Sequence, residues 1–207
     1  NILLGFAILM FGMSTMSGSV SALKENPQFI DMLTKFSNPI IGIIVGMLFT
    51  CVLQSASASI GILQSLAVTG AVSFATALPL TMGIGIGAAL PVLLSSLGAT
   101  TAGKRTAVVY LVIDVLGAII CGVVFYAADA AVGFSFMGSS MTMVSIALMN
   151  TVYRLVIVIV LFPMIGLLER LTEFIVREKP VSEDDDDAVK VIQLEDRFLQ
   201  FPSLAIE

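Results

Sequence analysis

The chain has no histidine, only two cysteines, and few charges for its length: Asp, Glu, Lys and Arg make up 12% of its 207 residues. A soluble domain carries about twice that charged fraction. Without histidine there is no His-based catalysis and no His metal ligation. Cys51 and Cys121 both sit in apolar runs and read as small core hydrophobes, not as a disulfide framework or a metal site. No nucleophile with an adjacent base and no metal-ligand cluster is apparent, so the sequence does not read as an enzyme. The net charge of −5 belongs to one end. From Glu169 onward there are eleven acids and five bases, and the preceding residues balance at +1. A basic face for nucleic acid is lacking.

What the chain has in abundance is apolar sequence, 57% of its residues, with a mean hydropathy of +1.04. This composition predicts an all-α integral membrane protein embedded in the lipid bilayer. The opening "NILLGFAILMFGM" has neither an initiator Met nor a basic leader region, which reads as a chain beginning partway through a larger protein. Residues 2–20 are apolar over a bilayer-crossing length of roughly 20 residues. "SALKENPQFIDMLTKFSNP" places Phe29, Ile30, Leu33 and Phe36 at helical spacing between Pro27 and Pro39, an interfacial amphipathic helix. Further spans are expected at 75–97, 106–128 and 141–168. The glycines of "MGIGIGAALP" and Pro91 predict a break in the first of these. By the positive-inside rule, Lys104, Arg105, Arg170, Arg177 and Lys179 put the C-terminal tail in the cytoplasm. The run Glu183–Asp187 reads as a solvated linker.

Between residues 40 and 72 the apolar sequence is interrupted by "CVLQSASASI". The run from Ile40 to Leu53 is too short to span comfortably, and a second short run ends at Thr69-Gly70. Two half-helices with a polar tip, a re-entrant hairpin over about 40–70, fit this pattern; a single spanning helix holding a few serines is the alternative. Non-helical backbone at membrane depth survives only inside protein or along a wet cavity. Gln54, Ser55, Ser57 and Ser59 offer amide and hydroxyl oxygens suited to a hard cation such as sodium. The N–H groups that open the second half-helix suit an anion. Ala56 and Ala58 read as packing residues. Gln64 is either a ligand or a hydrogen-bond donor to a neighbouring helix.

At "QSASAS" the chain resembles the sodium/phosphate cotransporter family, the type II transporters and their bacterial relatives, which carry a Gln-Ser-Ser-Ser signature at the tip of each of two inverted repeats. "LLGFAILMFGMSTMSGSVSAL" resembles the helix that opens the second repeat, and "LPLTMGIGIGAALPVLLSSLGA" resembles a segment that commonly reads Gly-x-Asn-Ile-Gly-Thr-Thr. The resemblance runs from about residue 2 to residue 178. It implies one inverted-repeat half with a re-entrant hairpin, a broken helix and further transmembrane helices. It also implies a multi-pass protein of the cell membrane that moves inorganic phosphate coupled to sodium, with no organic cofactor. Sodium would be held by Gln54, Ser55 and Ser57, with Ser59 beside them, and Gln64, Gly85 and Arg154 are further candidates. The other half of the site would come from the missing N-terminal repeat or from a second chain. "LEDRFLQFPSLAIE" resembles the start of a PhoU-like domain, which makes 179–207 an acidic cytoplasmic linker into a truncated regulatory domain.

The departures are specific. Ala56 replaces the middle serine of the signature, the usual Asn falls on Gly85, and the two threonines fall on Ala88 and Ala89. Transport of another oxyanion, or a transporter-derived phosphate sensor, are the alternatives these losses leave open. Asp114 and Arg154 stand inside spans, where a lone charge costs about 2.5–3.5 kcal/mol or more. In the contexts Tyr110-x-x-x-Asp114 and Asn150-x-x-x-Arg154, the resemblance puts Asn at both charged positions. Two opposite charges in neighbouring spans predict an ion pair, structural in the first place. The alternative is that Arg154 attracts the anion.

Overall fold

The computed structural model describes residues 2–21 and 26–177. The chain divides into two units, the first ending at Val176 and the second beginning at Arg177. The linker and PhoU-like segment expected at 179–207 lie outside the described residues. Those residues form eight α-helices: α1 Ile2–Ser21, α2 Pro27–Lys35, α3 Pro39–Leu53, α4 Ala56–Ala67, α5 Phe74–Ser95, α6 Thr101–Val132, α7 Met143–Leu161 and α8 Ile165–Ile175. Among them the only β pairing is an isolated bridge between Ser73 and Ser140. Among the described residues, three stretches meet the length and apolarity of a membrane crossing: Phe74–Gly98, Thr101–Val132 and Met143–Ile175. The protein is an all-α membrane protein.

Residues 2–20 lie within α1, a helix of 20 residues without a charged side chain. Its polar end is satisfied within the helix, where Thr15 donates to Phe11 O and Ser19 to Thr15 O. The amphipathic segment forms α2, with an exposed Asp31–Lys35 pair one turn apart. Pro39 then opens α3 under an Asn38 cap that accepts from the N–H groups of Ile40 and Ile41. The span expected at 106–128 is longer than that. α6 runs through Asp129 to a left-handed Gly133, and Asp129 Oδ1 accepts from Phe134 N–H at 2.9 Å.

α5 is the central helix and is buried along most of its length. It is also unbroken from Phe74 to Ser95, contrary to the break expected at Gly83–Pro91. The glycines serve packing instead. A Cβ on Gly46 would strike the Leu80 carbonyl, one on Gly83 the Ile43 carbonyl, and one on Gly87 the Met47 carbonyl and Thr50 Cβ. α3 and α5 therefore touch backbone to backbone, the small-residue packing that membrane helices use where no hydrophobic force drives them together.

The register of these contacts fixes direction. Gly42 lies at Pro79, Gly46 at Leu80 and Ile84, and Thr50 at Gly87, so α3 and α5 run parallel. α4 runs back antiparallel to both. Its first turn meets α3 through Thr50 and Ser59. Farther along it, Gln64 Nε2 donates to Met143 O at the start of α7. The starts of α5 and α7 are tied together, because Met141 N–H donates to Val72 O and Phe74 N–H to Ser139 O. α3 and α4 are thus a helical hairpin whose two outer ends lie at the end where α5 begins. At 1.5 Å per residue α3 is about 22 Å long, short of the roughly 30 Å hydrocarbon core. At the opposite end, α8 folds back on the start of α6, where Arg105 donates to Val176 O and lies 3.8 Å from Glu173.

Gly83→Leu is expected to destabilise the fold by about 3 kcal/mol or more, because the new side chain meets backbone that cannot yield. Gly61 has open space around it, so Gly61→Ala should stay within about 1 kcal/mol of wild type. Thermal unfolding of the purified protein in detergent reads both. A Gly83→Leu protein as stable as Gly61→Ala would refute the backbone contact.

Candidate functional site

α3 ends at the opening of the polar motif because Gln54 turns the chain. Its φ of 54° is the only positive value at a non-glycine residue among the described residues. The left-handed conformation is disfavoured for a long side chain, so it marks a position held by its surroundings. Gln54 N–H still donates to Thr50 O at 2.7 Å, closing α3. Ser55 is extended and caps α4, its Oγ accepting from Ala58 N–H at 3.3 Å. The break between the two helices is therefore two residues wide.

The four motif side chains divide into two groups. Gln54 and Ser57 are exposed and Ser55 is half-buried, with the Ser55 and Ser57 hydroxyls 3.3 Å apart. Ser59 is fully buried. It donates to Ser55 O at 2.9 Å and accepts from Thr50 Oγ1 at 3.0 Å. Thr50, also fully buried, ties the two arms of the hairpin together and was not singled out in the sequence. Its signal was there: a hydroxyl one turn before Gln54 in an apolar run. The first N–H groups of α4 have no partner within the helix and open toward the same tip as the Gln54, Ser55 and Ser57 side chains. Gln64 is spent on the α7 carbonyl described above. Cys51 and Cys121 are both free thiols, half-buried.

A second polar cluster lies between α5, α6 and α7. Arg154 Nη1 donates to Asp114 Oδ1, an ion pair across α6 and α7. Gly85 of α5 faces this pair: a Cβ there would lie 2.9 Å from Arg154 Nη2 and 3.3 Å from Asp114 Oδ1. Three residues that sequence distance separates are thus one cluster. Gly85 and Arg154 are each eleven residues into their helices, roughly 16 Å along the axis. The hairpin tip, one turn beyond Thr50, lies roughly 9 Å farther along α5 than Gly85. Ala88 is half-buried and Ala89 fully buried; neither brings a polar group.

Among the described residues no group of three or more His, Cys, Asp or Glu side chains could hold a metal ion. A cation at the tip would therefore be held by neutral oxygens of hydroxyls, the Gln54 amide and carbonyls, a donor set that suits a hard monovalent ion. No solved structure matches the chain. A curated relative, the uncharacterized protein YqeW of Bacillus subtilis (strain 168), is 26% identical over 179 residues, which cover 85% of this chain and 57% of the relative. The chain thus spans a little over half the length of that relative. Residues 2–151 match the Na+/Pi-cotransporter family. With its helical membrane fold and a match over most of its length, this chain belongs to the Na+/Pi-cotransporter family.

Proposed function

We propose that the protein moves inorganic phosphate across the cell membrane together with sodium ions, and that the α3–α4 tip forms half of the site. The observation that carries this reading is the turn at Gln54-Ser55, where one chain break leaves outward hydroxyl and amide oxygens beside the open N–H groups of a helix start. Oxygens of that kind coordinate sodium. The helix start favours the charge of a phosphate oxygen. Sodium bound by Gln54, Ser55 and Ser57 offsets the anion's charge, so each ion lowers the cost of bringing in the other. Ser59 and Thr50 fix the hairpin arms and do not face the ions.

In a bilayer the hairpin is re-entrant. Its two ends share one side, α3 is too short to cross, and its tip stands within the hydrocarbon depth, where broken helices of repeat-built transporters bind their substrates. The second half of the site comes from another repeat of the full-length protein or from a second chain. The transmembrane domain extends to about residue 178, and the segment beyond it is cytoplasmic by the charge distribution. Alternating access then moves the hairpin against the remaining helices.

The test is sodium-dependent uptake of labelled phosphate by the full-length protein in proteoliposomes. Uptake that needs inward sodium is the expected result, and phosphate flux indifferent to sodium would refute coupling. Replacing both Gln54 and Ser55 by Ala should abolish uptake. Gln54→Gly separates side chain from backbone. Glycine adopts the left-handed turn without strain, so the variant should fold at least as stably as wild type yet lose uptake at least tenfold. Wild-type uptake by Gln54→Gly would remove the Gln54 amide from the site. Thr50→Val deletes the buried donor to Ser59 and should cost about 1 kcal/mol in thermal unfolding, with a higher sodium concentration needed for half-maximal uptake.

A further inference from the structure

The Asp114–Arg154 pair is not a closed structural unit. Arg154 meets Asp114 through one nitrogen and one oxygen, and among the described residues it donates to nothing else. A guanidinium has five N–H donors. Asp114 Oδ2 is buried and has no hydrogen-bond partner. A buried ion pair offsets its desolvation only when the remaining donors and acceptors are also satisfied, and here groups on both partners are left over. The pair is also asymmetric. The Asp114 side chain is 3% exposed and that of Arg154 36%, so the carboxylate is enclosed and the arginine side chain is partly open.

Gly85 explains how the guanidinium reaches this place. Its end occupies the volume that a side chain on Gly85 would take, with Nη2 2.9 Å and Cζ 3.4 Å from a Cβ built there. Position 85 supplies no hydrogen-bonding side chain of its own, and neither do Ala88 and Ala89 one turn on. The polar groups on this face of α5 come instead from Arg154. A planar, permanently charged fork of donors matches a tetrahedral oxyanion, which arginine engages through two parallel N–H bonds.

We propose that Arg154 is an oxyanion ligand in the transport path of this protein, with Asp114 as its positioning residue and Gly85 as the gap that admits it. This rests on the phosphate-transport reading and adds to it a charged ligand on the far side of α5 from the hairpin. Arg154 supplies the positive charge that draws phosphate in. Asp114 holds the guanidinium by one nitrogen and leaves the others for the ligand.

Removing either charge alone would strand the other in the membrane, so the test uses the neutral, nearly isosteric double variant Asp114→Asn/Arg154→Gln in the full-length protein. Two readouts are taken: the rise in melting temperature on adding inorganic phosphate or sodium, and the KM for phosphate uptake in proteoliposomes. The expected result is a folded protein that sodium still stabilises, with the phosphate shift lost and KM raised at least tenfold. A wild-type KM and phosphate shift would show the pair to be structural and overturn the proposal. Gly85→Ala, with both charges kept, crowds Nη2. It should raise KM several-fold, by more than any change in maximal rate, with the phosphate-free melting temperature unaltered. An unchanged KM in that variant also overturns the proposal, and it decides the matter if the double variant does not fold. Wild-type protein is the control for the underlying reading. If wild type shows neither uptake nor a phosphate shift, the transport function itself fails and this inference with it. A wild-type response that the variants share defeats the inference alone.

Discussion

The contact of α3 with α5 at backbone distance governs the rest of the structure. Gly46, Gly83 and Gly87 have no Cβ, and any Cβ there would meet a main-chain carbonyl of the facing helix. In a bilayer no hydrophobic gain favours one apolar helix surface over another, so close approach and its many dispersion contacts have to select the partner. The glycines sit four residues apart on each helix and fix the register as well as the distance. Because that register is parallel, the chain between the two helices has to return before α5 can begin. α4 makes that return, and the turn into it puts Gln54 and Ser55 at the far end of a short helix.

Polar groups then sort by whether the fold has already used them. Thr50 and Ser59 are buried and bonded to each other, which locks the hairpin arms without help from water. Gln64 is used on the start of α7. The tip is different: Gln54 and Ser57 face outward, and the chain carries a strained left-handed residue to keep them there. The Asp114–Arg154 pair resembles the tip in this respect, since its geometry leaves donors and an acceptor over. Unspent polar capacity inside an apolar protein is costly. Its presence at two places, on opposite sides of α5, sets these sites apart from the hydroxyls that merely cap a helix or bond the preceding turn.

Much of this was legible in the sequence, and the parts that were not share a cause. The hairpin could be read because a short apolar run, a proline at its start and a polar interruption are all local. The polar side chains of the tip could be read for the same reason. Gly83, Gly85 and Gly87 were read as helix breakers because propensity treats a glycine by itself, whereas α5 is held straight by the neighbours those glycines admit. Ser59 was grouped with the ligands because spacing along the motif says nothing about which hydroxyl turns inward once the helix winds. Thr50 drew no notice because its partner lies across a turn.

By itself the sequence determined that this is a helical membrane protein, that a polar motif interrupts its helices at Gln54-Ser55, and which charges need a partner. Transfer free energy and helix propensity are sums over neighbouring residues, and those sums are written in the order of the chain. Only the tertiary structure decided that α3 runs parallel to α5, that Ser59 closes the hairpin while Gln54 and Ser57 leave it, and that Gly85, Asp114 and Arg154 are one cluster. Each of those depends on which surfaces meet at van der Waals distance, a property of three-dimensional packing that no local pattern carries.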